Sequence, residues 1–335
     1  MRPKIAISMG DFNGIGPEVV LKHLSSVDLS ISTPVIIGSE KVFQFYESKL
    51  NIQISRNQVS KTEEIKDDIV NILSVTEPDS SDIQPTKITE AAGKAAMRAV
   101  EYGINSCLAH KTDALVTAPI SKEAIHKAGY HYPGHTEFLA EKTGTEYFMM
   151  ILATDQLRVG LLTGHIPIKD VAQSVQKDTI IKKLESLHTS LKENFGIKNP
   201  KIAVLGLNPH AGDGGVLGTE EIETIIPAIN LANKKGIEAE GPYPADGFFG
   251  SQKQNQFDAI LAMYHDQGLI PFKTLSFGKG VNFTAGLPII RTSPDHGTAY
   301  DIAGLNRANP DSFSAAYNLA VDMAQLQMEG ISADE

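Results

Sequence analysis

The order of residues predicts an α/β protein, with a mostly parallel sheet covered by helices on both faces. Three observations carry this. Short apolar runs alternate with longer amphipathic ones along the 335 residues. Each apolar run is bounded by glycine or proline, as buried strands are. The longer runs space their apolar residues at helical intervals.

Taken in order, Lys4–Ser8 is the first expected strand. Gly10-Asp11-Phe12-Asn13-Gly14-Ile15-Gly16 follows, and then Pro17-Glu18-Val19-Val20-Leu21. Proline at the first helical position and glutamate in the first turn start a helix there. Residues 34–38 form a second strand, and the polar stretch 55–68 is a surface excursion. Residues 89–110 are rich in alanine at helical spacing and predict a long helix, in which Cys107 is a packing residue. A strand at 114–117 and a helix at 121–128 come next. Further strands are expected at 148–153, 159–162, 202–207 and 259–263, with strand-like segments at 270–272 and 283–290. Helices are expected near 179–195, 219–232 and 312–328. The length exceeds one ordinary domain, and no Gly/Ser/Pro linker divides the chain, so two domains that exchange chain are expected.

Composition excludes several classes. An apolar fraction of 41% suffices for a sizeable core, so neither disorder nor a disulfide scaffold is needed. Thirty Lys and Arg against forty Asp and Glu leave a net charge of −10, the wrong sign for a general nucleic-acid or anionic-membrane binder. One cysteine rules out an intrachain disulfide and a cysteine-rich zinc module. No signal-peptide core opens the chain, and no apolar run approaches the roughly 18–20 residues of a membrane span. A soluble, cytoplasmic protein is expected.

Three histidines stand just beyond three expected strands. Val159-Gly160-Leu161-Leu162 leads to Thr163-Gly164-His165, Ala203-Val204-Leu205-Gly206-Leu207 to Asn208-Pro209-His210, and Ala259-Ile260-Leu261-Ala262-Met263 to Tyr264-His265. Ligands of open α/β sheets bind at that edge. Three neutral imidazoles suit zinc or a neighbouring transition metal. Singly, each histidine reads as a cap or a turn residue; three at one topological position favour a site. The segment 208–218 is too rich in glycine to be a packed element. It leads into a helix with Thr219 as expected N-cap. His23, His110, His126, His131 and His188 read as surface or cap residues.

A second group is cationic and polar. Gly134-His135-Thr136-Glu137 opens a helix, whose N–H groups can hold an anion. Lys273, Asn282 and Arg291 lie on or beside the segments 270–272 and 283–290. Arginine holds carboxylate or phosphate through two parallel bonds, lysine as a point charge. Taken one by one they read as solvated surface groups. The glycines at 10, 14 and 16 do not make a dinucleotide fingerprint, nor does a P-loop follow. There is no G-x-S-x-G elbow and no H-E-x-x-H.

Together these residues resemble the 4-hydroxythreonine-4-phosphate dehydrogenase family of vitamin B6 biosynthesis. The resemblance runs through Gly14-Ile15-Gly16-Pro17-Glu18, Thr117-Ala118-Pro119-Ile120-Ser121-Lys122 and Pro133-Gly134-His135-Thr136-Glu137. It continues in Thr163-Gly164-His165-Ile166-Pro167, Leu207-Asn208-Pro209-His210-Ala211-Gly212 and Gly241-Pro242-Tyr243-Pro244-Ala245-Asp246. Tyr264-His265-Asp266-Gln267-Gly268, Gly286-Leu287-Pro288-Ile289-Ile290-Arg291 and Asp295-His296-Gly297-Thr298-Ala299-Tyr300-Asp301 complete it. One departure is Phe12, where the family usually has proline.

The resemblance implies two α/β/α domains with mixed sheets, like the isocitrate and isopropylmalate dehydrogenases and unlike a Rossmann fold. By that analogy one domain comprises residues 1–125 and 275–335, the other residues 126–274. It implies that Asp295, His296, Gly297, Thr298 and Asp301 bind NAD or NADP. His165, His210 and His265 would hold a divalent metal (zinc, cobalt or magnesium) shared across a homodimer. His135, Thr136, Lys273, Asn282 and Arg291 would bind a small phosphorylated hydroxy amino acid. Asp246, or else Lys273, would be the base. The implied reaction oxidises 4-hydroxy-L-threonine 4-phosphate to 2-amino-3-oxo-4-phosphooxybutanoate, which decarboxylates to 3-amino-1-hydroxyacetone 1-phosphate. Three rivals stand beside it: a relative acting on 4-phospho-D-erythronate or another hydroxy acid, a three-histidine metallohydrolase, and a non-catalytic binding protein.

Overall fold

The computed structural model describes residues 2–333. The chain runs β1 (Lys4–Ser8), α1 (Gly16–Leu24), β2 (Thr33–Gly38), α2 (Glu40–Leu50), β3 (Arg56–Val59), β4 (Val70–Ser74), α3 (Glu90–Leu108), β5 (Ala114–Thr117), α4 (Lys122–Lys127) and α5 (His135–Thr143). It continues through β6 (Met149–Ala153), β7 (Arg158–Leu161), α6 (Val171–Ser174), α7 (Lys177–Glu193), β8 (Lys201–Leu205), α8 (Ile226–Lys234), β9 (Glu238–Tyr243) and α9 (Ala245–Gly250). The last elements are β10 (Ala259–Ala262), α10 (His265–Ser276), β11 (Val281–Ala285), β12 (Ile290–Pro294) and α11 (Asp311–Ala333). Two compact units result, Met1–Glu146 with Leu287–Glu335, and Tyr147–Gly286. The helix α5 goes with the first unit because it packs on α3.

In the first unit the strand order is β3-β4-β2-β1-β5-β12, and the five pairings are all parallel. Ile5, Ile7, Ile36, Leu115 and Val116 are fully buried in it. Strands covered on both faces carry such unbroken apolar runs, which is why they were legible. In the second unit the order is β11-β6-β7-β10-β8-β9. Here β6 pairs antiparallel with β7 and β11, while β7, β10, β8 and β9 run parallel. Val159, Leu205, Phe248, Ile260 and Phe272 form part of its core. No helix of the described residues is long and apolar enough to cross a membrane.

Several expectations need correction. The excursion 55–68 contains β3, whose Arg56-Asn57-Gln58 is polar because the strand lies at the sheet edge, paired only with β4. Arg56 forks to Glu40 and Glu47 there. Residues 270–272 are helical, not strand; Gly268, Leu269, Phe272 and Ser276 are the buried face of α10, and the apolar run is one turn of it. Segment 283–290 divides into β11 and β12. The expected helix 219–232 opens with a wide π turn over Glu221–Ile225, so Thr219 is not its N-cap. Thr89 and Ser121 do cap α3 and α4 through their side chains. Cys107 is buried in α3, and burial pushes its thiol up to about 12, as suits a packing residue.

His23 is not on the surface. It is 6% exposed, packed against Tyr317 with ring centroids 4.5 Å apart and the rings tilted, and its Nδ1 meets Ser314 Oγ at 3.0 Å. Burial pushes its pKa down to about 4 from 6.5. Below pH 6.5 the unfolded chain therefore takes a proton that the folded chain refuses. Stability from this group is full above that pH and is lost as pH falls toward 4. The loss is at most about 3 kcal/mol. Urea midpoints measured from neutral to acid pH should fall more steeply for the wild type than for His23→Gln; parallel curves would exclude His23 as the cause.

Candidate active site

In the first unit the polar group gathers around β5, β12 and the start of α5. Arg291 is the second residue of β12, its backbone paired with Leu115, and is fully buried. Its Nε and Nη2 donate to Thr117 Oγ1 at 3.2 and 2.6 Å. Burial drives its pKa down to about 9, against the pull of Glu137. A guanidinium keeps its proton here at a cost in desolvation that a bound anion would offset. His135 is the first residue of α5, behind Gly134, which has no capping side chain. Burial, and then the Arg291 cation, hold the His135 pKa well below the usual histidine value, so the ring is neutral.

A cavity of about 100 Å³ is lined by Thr117, Ile120, His135, Ser293, His296 and Gly297 among others; Arg291 reaches it through its bonds to Thr117. His135 Nε2 and His296 Nε2 are both buried without a hydrogen-bond partner among the described residues. Buried polar atoms without partners are rare, and two on one cavity point to a polar ligand. His296 belongs to the segment after β12 that also carries Asp295, Gly297, Thr298 and Asp301. Asp295 N–H donates to Ser312 Oγ at 3.0 Å, and Gly297 and Asp301 are exposed.

The second unit holds the three histidines, with Asp246, Lys273 and Asn282. The strands β7, β10 and β8 are parallel neighbours, so His165, His265 and His210 leave the same edge of the sheet, His265 in the middle. The His165 and His265 rings lie 5.5 Å apart between centroids. His265 Nδ1 meets Asp266 Oδ1 at 2.7 Å, and in the neutral tautomer that donates to this carboxylate Nε2 carries the lone pair. His210 is exposed on a different footing. Residues 210–214 all have positive φ, between 44° and 81°. A left-handed conformation costs each non-glycine residue about 1–2 kcal/mol. The Glu221 carboxylate compensates by accepting from Leu207 N, Asn208 N and Asn208 Nδ2 at 2.7–2.9 Å. Asp246 is exposed on α9, which packs on the 209–215 turn. Lys273 is exposed on α10, and Asn282 Oδ1 is a buried acceptor without a partner among the described residues. Among the described residues of this single chain, no three metal-binding side chains close on one point.

Side chains without chemistry of their own tie the three loops together. Thr163 Oγ1 donates to Met263 O at 2.8 Å, joining the His165 loop to the His265 loop. Gln267 accepts from Met263 N at 2.7 Å and donates to Gly206 O at 2.6 Å, joining the His265 loop to the His210 loop. Thr117, Asp266, Gln267 and Glu221 were missed as site residues. Thr117, Asp266 and Gln267 had a signal in the sequence, their place in the segments that carry the family resemblance; Glu221 had none.

Residues 30–320 match the family described as pyridoxal phosphate biosynthetic protein PdxA. A relative from Bacteroides thetaiotaomicron, named 4-hydroxythreonine-4-phosphate dehydrogenase, is 47% identical over 322 residues, covering 96% of this chain and 88% of its own. A relative from Oceanobacillus iheyensis is named a putative D-threonate 4-phosphate dehydrogenase; it is 41% identical, covering 96% of this chain and 98% of its own. The crystal structure of a 4-hydroxythreonine-4-phosphate dehydrogenase from Klebsiella pneumoniae superposes with a TM-score of 0.87 at 38% identity, covering 97% and 99% of the two chains.

Proposed function

The chain belongs to the PdxA family of pyridoxal phosphate biosynthetic proteins, and from that premise we propose that it oxidises 4-hydroxy-L-threonine 4-phosphate with a nicotinamide dinucleotide. The product, 2-amino-3-oxo-4-phosphooxybutanoate, is a β-keto acid that loses CO₂ to give 3-amino-1-hydroxyacetone 1-phosphate. The observation that carries this reading is the cavity lined by Thr117, His135 and His296, where two imidazole nitrogens are buried without a partner among the described residues and Thr117 is held by the buried Arg291 cation.

In this reading Arg291, His135, Thr136 and the open N-terminus of α5 bind the phosphate, and Lys273 and Asn282 serve the substrate as well. Asp295, His296, Gly297, Thr298 and Asp301 hold the dinucleotide, NAD or NADP. His165, His210 and His265 hold a divalent ion (zinc, cobalt or magnesium), whose Lewis acidity would ease ionisation of the substrate hydroxyl. The neighbouring rings of His165 and His265, with Asp266 fixing one tautomer, fit such an ion. Asp246 takes the hydroxyl proton, with Lys273 as the second choice, while the hydride on the same carbon leaves for the dinucleotide.

A second copy of the chain completes the site. Support comes from apolar side chains exposed beside each histidine: Ile166 and Ile168 after His165, Val216 and Leu217 after the 210–214 turn, Ile270 and Phe277 on and after α10. Light scattering should give a homodimer. Asp266→Ala should weaken zinc binding about tenfold to a hundredfold in competition with a chelating dye; unchanged affinity would separate Asp266 from the metal.

A second substrate has support in the Oceanobacillus relative: a phosphorylated sugar acid lacking the amino group, such as D-threonate 4-phosphate. The test is reduction of NAD⁺ and NADP⁺ with both substrates, and with 4-phospho-D-erythronate, before and after chelation. Turnover of 4-hydroxy-L-threonine 4-phosphate that vanishes with EDTA and returns with zinc or cobalt supports the first reading. Turnover of the sugar acids alone moves the chain to the second.

A further inference from the structure

The glycine-rich loop after β1 is neither a dinucleotide fingerprint nor a P-loop, and no role above uses it. It is nevertheless buried and held from several sides. Asp11 is 0% exposed, its N–H donates to Pro119 O at 2.8 Å, and Asn13 N–H donates to its Oδ1 at 2.9 Å. Tyr46 OH donates to Phe12 O at 2.7 Å. What the loop presents outward is a seat for the segment 295–301. Ile15 N–H donates to Thr298 O at 2.9 Å, and Tyr300 OH donates to Asp11 Oδ2 at 2.7 Å. Gly14 lies so close to Thr298 that a Cβ there would come within 2.9 Å of the Thr298 carbonyl oxygen and Cβ. Between these two attachments Ala299 is bent into the left-handed region, at φ 39°.

We infer that Asp11 is a positioning residue for the dinucleotide: through Tyr300 it latches the segment 295–301 in the conformation that presents His296, Gly297 and Asp301. The inference rests on the reading of that segment given above. The attachments run to the buried residues Asp11 and Ile15, while Gly297 and Asp301 stay exposed and His296 lines the cavity. Among the described residues no cation acts on Asp11; burial raises its pKa, and Tyr300 and the backbone N–H groups of Asn13 and Gly14 counter that. Burial and the Asp11 charge raise the Tyr300 phenol above its ordinary value, so Tyr300 stays the donor. A second backbone attachment at Thr298 explains why the loop needs glycine at 14, where any side chain would push the segment off its seat.

Tyr300→Phe removes one hydroxyl and keeps the ring, so the fold should survive. Binding of NADH and NADPH to the full-length protein is measured by titration calorimetry, alongside steady-state kinetics and hydrogen exchange over residues 295–304. The latch predicts dinucleotide affinity about tenfold weaker, substrate KM and kcat within about twofold, and faster exchange confined to that segment. Asp11→Asn, which can still pair with the Tyr300 hydroxyl, should recover most of the affinity that Asp11→Ala loses. Wild-type affinity in Tyr300→Phe overturns the latch, and so does a uniform loss in affinity, kcat and melting temperature. A wild type that binds neither dinucleotide overturns the reading of 295–301 itself, and the inference falls with it.

Discussion

Arg291→Met is expected to lower kcat/KM for 4-hydroxy-L-threonine 4-phosphate by about a thousandfold, while the melting temperature stays within a few degrees. Losing one partner of a buried charge pair costs about 3–5 kcal/mol, and each 1.4 kcal/mol is about a factor of ten. Arg291 reaches that regime because it is fully buried and fixed by two hydrogen bonds to Thr117. Arg291→Lys should recover only part of the loss, since lysine keeps the charge but not the planar fork. The control is 4-hydroxy-L-threonine without its phosphate. Wild type and Arg291→Met should turn it over at similar low rates, because the contact at issue is absent from both. Equal losses on both substrates would make Arg291 a structural residue of β12 and remove it from phosphate recognition.

The second large effect is expected at the histidines. His165→Ala and His265→Ala should each lower turnover by about a thousandfold or more and strip the bound metal, without restoration by added zinc or cobalt. The wild type, treated with EDTA, should lose activity and regain it with either ion. Both imidazoles sit at least partly in solvent, so truncation should leave the melting temperature of the metal-free protein nearly unchanged. A His265→Ala protein that keeps its metal and its turnover would remove the three-histidine reading, whatever the substrate proves to be.

Legibility in the sequence followed distance along the chain. Strands such as β1, β5 and β10 showed themselves because burial on both faces leaves an unbroken apolar run. The edge strand β3 did not, since one polar face and a single neighbour leave Arg56-Asn57-Gln58 with no apolar pattern to read. Ile270-Pro271-Phe272 misled because an apolar helical turn, here with Ile270 exposed and Phe272 buried, and a short strand have the same composition. Histidines at strand ends were visible through local context alone. The partners that aim the site were not: Thr117 serves Arg291 across 174 residues, and Tyr300 meets Asp11 across 289. Such pairings are decided by which strands become neighbours, and no local period encodes that.

The sheet order also bears on which length changes the chain can accept. Because β10 lies between β7 and β8, three strand ends are held to one another by ladder hydrogen bonds and by Thr163 and Gln267. Removing one residue inside β10 would turn every later side chain of that strand to the opposite face and carry His265 away from His165. The connections behind those ends are under no such constraint. Residues added between α7 and β8, or between α8 and β9, would lengthen loops remote from the histidine-bearing edge and leave all three in place. Relatives of this chain should therefore differ in length at those connections and keep the spacing within the strands.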